Sequence, residues 1–110
     1  MRKSDKKTDN IIRKVLTEAC DIALEECSGF QWLTHTVNYD RFPGSLTVIC
    51  VFATNEQITQ VDVEEIRNLI KEKLAGAGIN LEQVHKQVRF DSEQSCEQQH
   101  DGNWNKRLNH

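Results

Sequence analysis

Residues 46–53, with the sequence LTVICVFA, decide the fold of this chain because they form its most apolar run. The run is rich in β-branched residues and is apolar on both alternating faces over most of its length, a pattern typical of a strand buried on both sides. Val48 and Cys50 would point to one face of a sheet, and Ile49 and Val51 to the other. We therefore predict that this segment is the central strand.

The sequence before this strand predicts a helix and a first strand. Between residues 9 and 27, apolar residues recur at intervals of three and four behind a candidate N-cap, Asp9, and Gly29 ends the helix because glycine adopts a left-handed conformation without strain. Residues 30–39 alternate with a period of two, which is typical of a strand, and residues 40–45 (DRFPGS) form a turn. On that strand we expect two sets of side chains on opposite faces, Leu33, His35, Val37 and Tyr39 on one and Phe30, Trp32, Thr34 and Thr36 on the other.

The sequence after the central strand predicts a second helix and a third strand. A polar linker covers residues 54–60, and Asp62 with Glu65 then resembles a capping box for a helix over residues 62–76. Alternation over residues 84–90 indicates the third strand. The resulting order, αββαβ, predicts an α+β fold in which a three-stranded sheet has two helices packed on one face.

Length and composition favour one globular domain. A chain of 110 residues with 37% hydrophobic and 28% charged residues has enough apolar surface for one packed core. We expect a basic N-terminal arm over residues 1–8, a single α+β domain over residues 9–91 and a polar C-terminal tail over residues 92–110. No stretch has the composition of a secretory signal or a membrane span, so we expect a cytoplasmic protein with no membrane partner.

Positive charge is concentrated at the start of the chain. Residues 1–14 carry a local charge of +4, whereas the formal net charge of the whole chain is −3. Such a segment is typical either of a solvated terminus or of a contact to nucleic acid, and the acidic remainder argues against a broad phosphate-binding surface. The candidate nucleic-acid contacts are six cations: Arg2, Lys3, Lys6, Lys7, Arg13 and Lys14.

No set of residues in the sequence has the spacing of a catalytic, cofactor or metal site. The four cysteines are irregularly spaced, and we expect buried, reduced thiols. Cys96 and His100 form one pair at metal-like spacing, which is too little for a zinc site. His35 interrupts an apolar strand face, where a hydrogen-bonded, partly buried imidazole is favoured over a catalytic base. We therefore predict no catalytic residue, no cofactor and no metal.

The two-faced central strand predicts an interaction surface. If both helices pack on one side of the sheet, the apolar side chains on the other side need cover, since a contiguous exposed apolar patch usually marks an interface. We expect that cover to come from a second copy of the chain in a two-fold dimer, from a partner protein or from the tail folding back. The candidate interaction residues are Trp32, His35, Ile49, Val51 and Trp104.

Several short motifs resemble those of a group of gammaproteobacterial proteins that are sometimes labelled Fis-family transcriptional regulators. They lie at residues 2–7 (RKSDKK), 30–35 (FQWLTH), 42–46 (FPGSL), 88–91 (VRFD) and 102–105 (GNWN). The resemblance spans the chain, and its label implies a role in transcription without naming an activity or a site residue. The αββαβ order is also similar to the N-terminal domain of the ribosome maturation factor RimP, a likeness of fold alone.

The sequence thus favours a non-catalytic interaction or regulatory module that acts through self-association or a protein partner. The alternative is a nucleic-acid-binding or transcription-associated protein that uses the basic N-terminal arm. A third hypothesis is an enzyme that uses His35 and a nearby acid, although no nucleophile, metal-ligand set or phosphate loop accompanies that histidine in the sequence.

Overall fold

A three-stranded sheet forms the centre of the fold in the computed structural model, which describes residues 2–108. Its strands are β1 (Phe30–Thr36), β2 (Thr47–Phe52) and β3 (Val88–Ser92). β2 lies between the other two, antiparallel to β1 and parallel to β3. The predictions of an α+β fold and of a central strand within residues 46–53 are confirmed.

Two long helices, α1 (Lys3–Glu26) and α3 (Val63–Gly76), pack against each other and against one face of this sheet. Their apolar stripes meet the inward side chains of β2 in one core, where each large apolar side chain contributes roughly 1.5–3 kcal/mol. The most deeply buried members of this core include Ile12, Leu16, Val48, Cys50, Phe52, Ile70 and Leu74. Within residues 2–108, every helix is too short or too polar to cross a membrane.

α1 begins at Lys3, well before the start that its apolar periodicity predicts. Residues 3–8 therefore belong to a helix rather than to a separate N-terminal arm. Lysine favours helix, and the Asp5 carboxylate accepts a hydrogen bond from the Arg2 backbone N–H at 3.4 Å, at the end of the helix where the dipole favours a negative charge. The other end agrees with the prediction, since Gly29 follows the helix with a left-handed φ of 86°.

A β-bulge changes the face of the sheet that Phe30 occupies. The register between β1 and β2 shifts between Phe30 and Trp32, so that Phe30 pairs with Phe52 while Trp32 pairs with Val51. Because a bulge inserts one extra residue, Phe30 packs in the helix-covered core, with its ring centroid 5.5 Å from that of Phe52, and Trp32 points to the opposite face. The prediction that Phe30 and Trp32 share a face is therefore wrong.

The linker predicted over residues 54–60 contains a short helix, α2 (Asn55–Gln60). The Thr54 hydroxyl accepts a hydrogen bond from the Gln57 backbone N–H at 3.3 Å, and the Gln57 side chain accepts one from the Thr54 backbone N–H at 3.0 Å. This reciprocal capping box satisfies the first N–H groups of a helix that lacks an apolar stripe.

The third strand begins later than predicted, because the residues before it form a short helix, α4 (Val84–Gln87), and β3 starts at Val88. The buried Gln87 side chain explains the difference. Its Nε2 donates to the backbone carbonyls of Pro43 at 2.9 Å and Leu46 at 3.0 Å. These hydrogen bonds connect the turn before β2 to the start of β3. The alternation of apolar and polar residues, from which the strand is predicted, does not record them.

The polar segment after β3 forms two helices, α5 (Glu93–His100) and α6 (Trp104–Leu108), on the second face of the sheet. The rings of Trp104 and Trp32 meet edge to face with centroids 4.8 Å apart, and Val51 is 0% exposed in the single chain. Of the predicted ways to cover this face, the tail folding back is the one that the structure shows, so burial here needs no second copy. The first residue of the predicted arm and the last two of the predicted tail lie outside the described residues.

Candidate interaction groove

A groove of about 690 Å³ lies between α1 and β1. Its helical wall is one stripe of α1, with side chains at intervals of three and four residues, and the facing side comes from β1 and the loop after it. α1 contributes Asp9, Arg13, Leu16, Thr17, Cys20 and Asp21, and the strand and loop contribute Leu33, Thr34, His35, Val37 and Tyr39. The groove therefore combines an apolar centre with charged groups along its helical wall.

Asp9 organises the polar part of this groove. Its Oδ1 accepts a hydrogen bond from the Tyr39 hydroxyl at 2.8 Å and lies 3.1 Å from His35 Nε2, while its Oδ2 accepts from Arg13 Nε at 2.8 Å. α1 places Arg13 one turn after Asp9, β1 supplies His35, and a 3-10 turn (Tyr39–Arg41) supplies Tyr39. Asp9 thus joins the helix to the strand from within α1, and the prediction that it caps this helix is wrong.

The hydrogen bonds to Asp9 shift two titrations in opposite directions. The bond with His35 is the largest of the contacts that hold the pKa of Asp9 below its usual value of 3.8, against burial, which raises it. Ionised Asp9 therefore contributes stability above that usual value, and the contribution is lost as the pH falls through the lowered pKa. Burial, together with the hydrogen bond to Asp9, raises the pKa of Tyr39 to about 12.

Tyr39 is the chain's single tyrosine, so its ionisation can be read directly from the ultraviolet absorbance of tyrosinate. We expect a midpoint near pH 12 instead of the usual 10. Because the folded state favours the neutral phenol, Tyr39 contributes stability below pH 10 that is lost as the pH rises through about 12. In Asp9→Asn the midpoint should fall but stay above 10, since burial, the larger cause, remains. A wild-type midpoint at the usual value, with circular dichroism showing an intact fold, would contradict the Asp9–Tyr39 contact.

Two polar groups near the Asp9–His35 pair, the Cys20 thiol and the Thr17 hydroxyl, are either kept neutral or held in a hydrogen bond. Burial raises the pKa of the Cys20 thiol, and the Thr17 hydroxyl donates to the Arg13 backbone carbonyl at 2.7 Å. His35 is the hydrogen-bonded, partly buried imidazole that the sequence favours. The arrangement fixes the shape of the groove wall and leaves Arg13, whose side chain is 71% exposed, at its rim.

The other candidate interaction residues, Trp32, Ile49, Val51 and Trp104, pack against or hydrogen-bond to other parts of the same chain. Trp32 Nε1 donates to Glu93 Oε1 at 2.6 Å, and Trp104 Nε1 donates to Glu93 Oε2 at 3.1 Å. One carboxylate therefore holds both indoles on the second face of the sheet, where Ile49 and Val51 are buried. Of the five candidates, only His35 lines the groove between α1 and β1.

Sequence reasoning missed the residues that attach the C-terminal helices. Arg107 of α6 donates to both carboxylate oxygens of Asp91 in β3, at 2.6 and 2.9 Å, and the hydrogen bond with Asp91 raises the pKa of Arg107. The Asn55 carboxamide oxygen accepts from the hydroxyls of Ser92 at 2.6 Å and Ser95 at 2.9 Å, which joins α2 to α5. A polar segment that follows a buried strand is the signal for such a docked tail, but its partners come from distant parts of the chain.

The cysteines lie where desolvation keeps them protonated. Cys50 and Cys96 are 0% exposed, and burial raises the pKa of the Cys50 thiol to about 12. Burial also raises the pKa of Cys96, which lies on α5 with His100. Within residues 2–108, no three His, Cys, Asp or Glu side chains come together as a set of metal ligands.

The candidate nucleic-acid contacts share the first half of α1, apart from Arg2, which precedes it. With 3.6 residues per turn, the four lysines of the helix lie on its outward side, away from the buried stripe of Ile12 and Leu16, and Arg13 lies on the flank of that side, at the rim of the groove. These five are Lys3, Lys6, Lys7, Arg13 and Lys14. The helix thus arranges as one exposed face the charges that the sequence predicts on an arm.

No protein-family model, curated protein or solved structure matches this chain.

Proposed function

We propose that this protein is a non-catalytic interaction module that binds a protein partner in the groove between α1 and β1. The observation that carries the proposal is the position of β1 at the edge of the sheet, with β2 as its only strand partner among the described residues. This edge lies beside an open groove of about 690 Å³.

The other edge of the sheet, β3, is contacted by a side chain of α3, which supports the choice of the β1 edge as the binding surface. Arg67 of α3 donates from Nε to the Val88 backbone carbonyl of β3 at 3.2 Å, and its guanidinium lies 5.1 Å from the centroid of the Phe90 ring. The second face of the sheet is also covered, by α5 and α6. The β1 edge is therefore the sheet surface within residues 2–108 that is best placed to receive a partner.

A substitution in the groove tests the proposal. Thr17 is exposed and lines the groove, so Thr17→Trp should fill the groove without disturbing the core, and Asn10→Trp adds the same ring at an exposed position of α1 outside it. We expect a protein that co-purifies stoichiometrically with the wild type and with Asn10→Trp from nuclease-treated lysate to be lost with Thr17→Trp. Equal recovery with both variants, or recovery only without nuclease, would contradict the proposal.

The proposal includes the case in which the partner is a second copy of this chain. Because Ile49 and Val51 are buried in the single chain, the second face of the sheet no longer favours a dimer, and under this proposal a second copy would have to bind at the β1 edge. Light scattering of the wild type and of Thr17→Trp distinguishes this case, since only a groove-mediated dimer would dissociate in the variant. A cytoplasmic location stays a prediction from the sequence.

A second candidate function is nucleic-acid binding, which the cationic face of α1 favours. We expect weak, non-specific binding to duplex DNA through this face. With about five phosphate contacts, affinity should fall about 10²- to 10³-fold between 50 and 200 mM salt. Fluorescence anisotropy measures this, and Lys6→Glu with Lys7→Glu should abolish binding because both charges reverse on the face. The matched control, Lys71→Glu with Lys86→Glu, makes the same charge change at exposed positions elsewhere and should retain binding. Salt-resistant, sequence-selective binding would contradict this candidate.

A further inference from the structure

We infer that α1 carries a second interaction surface, which pairs antiparallel with α1 of a second copy of this chain across a two-fold axis. This surface is an outer stripe of α1 formed by Lys7, Lys14, Glu18 and Glu25. The outer stripe is turned away from the groove between α1 and β1, so such a dimer leaves the groove open and goes beyond the proposed function. The occupant follows from the charges of the stripe, which complement themselves when two copies run in opposite directions.

The charges of α1 are placed against its own helix dipole. Residues 2–14 hold six cations and two carboxylates, whereas residues 15–26 hold four carboxylates and no cation. A helix dipole favours carboxylates at the N-terminus and cations at the C-terminus, and the last turn of α1 has no basic residue. Apart from Asp5, this distribution therefore costs the single helix stability, which favours a role for it outside the single chain.

The spacing of the outer stripe makes it self-complementary. Its members follow one another at intervals of seven, four and seven residues, which keeps them on one side of the helix, and they are symmetric about Leu16. In an antiparallel pair centred there, Lys7 faces Glu25 of the second copy, and Lys14 faces Glu18 of the second copy. The two-fold axis repeats both contacts. A parallel pair would instead place lysine against lysine and glutamate against glutamate.

The side chains of the outer stripe are available for these contacts. All four are exposed, and within residues 2–108 only Glu18 forms an ion pair, in which its Oε2 lies 4.0 Å from Lys73 Nζ. The Glu18 side chain is 53% exposed and can contact a second cation. Single exposed ion pairs contribute little to association, but charges that act together as a network contribute more.

Ile11 adds an apolar contact beside these charges. Its side chain is 41% exposed, and Leu24 is the one other large apolar residue so exposed within residues 2–108. Ile11 borders an open hollow of about 460 Å³ between α1 and α3, where a Cβ added to Gly76 would meet no atom within 4 Å. Positions 11 and 22 are almost equally far from the centre of the pair, so Ile11 would face the half-buried Ile22 of the second copy. The pair thus buries apolar surface that the single chain exposes.

Charge reversal at the two ends of the outer stripe tests the inference by sedimentation velocity. The wild type should form a dimer that dissociates on dilution, and a rise in salt from about 50 to 500 mM should weaken it about tenfold. Lys7→Glu and Glu25→Lys should each weaken the dimer at least about tenfold, because two repulsive contacts replace two attractive ones. An equimolar mixture of the two variants should dimerise like the wild type, since the reversed charges then face each other. Positions 7 and 25 lie about 27 Å apart along the helix, so no contact within one chain explains this recovery.

The controls separate a lost interface from a damaged fold. Lys6→Glu makes the same charge change at an exposed position beside the outer stripe and should alter dimer affinity less than about threefold. Lys7→Glu and Glu25→Lys remove charges that oppose the helix dipole. At concentrations where the wild type is a monomer, both variants should therefore melt at a temperature no lower than that of the wild type.

Several results would overturn the antiparallel pair. A wild type that stays monomeric at about 1 mM would do so, because even weak association is populated there. A dimer that both variants retain would place the interface elsewhere, and a mixture that stays monomeric like each variant alone would exclude the antiparallel register. A dimer that dissociates in Thr17→Trp would assign the second copy to the groove, and a dimer that disappears after nuclease treatment would assign the lysines to nucleic acid.

Discussion

A chain that ends at Asp91 is expected to lose its native stability or to self-associate. Its truncation removes Trp104 and the helices of the second face, and it exposes Val51, Ile49 and Trp32. Each large apolar side chain returned to water costs roughly 1.5–3 kcal/mol, so three of them approach the whole stability of a small domain, about 5–15 kcal/mol. Thermal unfolding followed by circular dichroism, with light scattering, measures both results.

Single substitutions show whether the docked tail causes this effect. Glu93→Ala removes the acceptor of both indole N–H groups and should destabilise the chain by about 2 kcal/mol, because hydrogen bonds to a charged group contribute about 1.5–3 kcal/mol. Gln98→Ala, at an exposed position of the same helix, should change stability by less than about 0.5 kcal/mol. A truncated chain that stays monomeric with unchanged melting would mean that α5 and α6 do not cover the second face.

Val48→Asp is expected to unfold the domain. Val48 is 0% exposed and pairs with His35 of β1 on one side and Val88 of β3 on the other. The Nε2 of His35 already contacts Asp9 at 3.1 Å, so a carboxylate at position 48 would be buried beside a histidine that another carboxylate holds. A carboxylate buried without a partner costs several kcal/mol or takes up a proton, which is comparable with the stability of about 5–15 kcal/mol of a small domain. Circular dichroism at neutral pH should show the loss of secondary structure.

The matched control adds the same charge at an exposed strand position. Gln31→Asp lies in the bulge of β1, where the side chain is exposed, and it should melt within a few degrees of the wild type. If Val48→Asp melts at the wild-type temperature, the central position of β2 is wrong.

The groove shows how far residue patterns predict a site. The interruption of an apolar strand face by His35 indicates a buried imidazole that needs a partner, and this much can be read from the sequence. The partner, Asp9, lies on a different element, and its position before the first apolar residue of α1 predicts a helix cap instead. The groove depends on where α1 lies relative to β1, which no spacing along the chain records.

Residue periodicity is sufficient to predict the elements whose apolar faces repeat regularly: the core part of α1, the central strand β2 and the helix α3. Local patterns suffice there because each element must bury one face or two, and the period of its side chains sets which residues lie on that face. Tertiary structure decided the rest. The bulge that separates Phe30 from Trp32, the late start of β3 and the docking of α5 and α6 all depend on contacts between residues far apart in the chain, such as Gln87 with Leu46 and Glu93 with Trp32. A single hydrogen bond from a polar side chain creates no periodic pattern in the sequence. Its role can therefore be recognised only when the position of its partner is known.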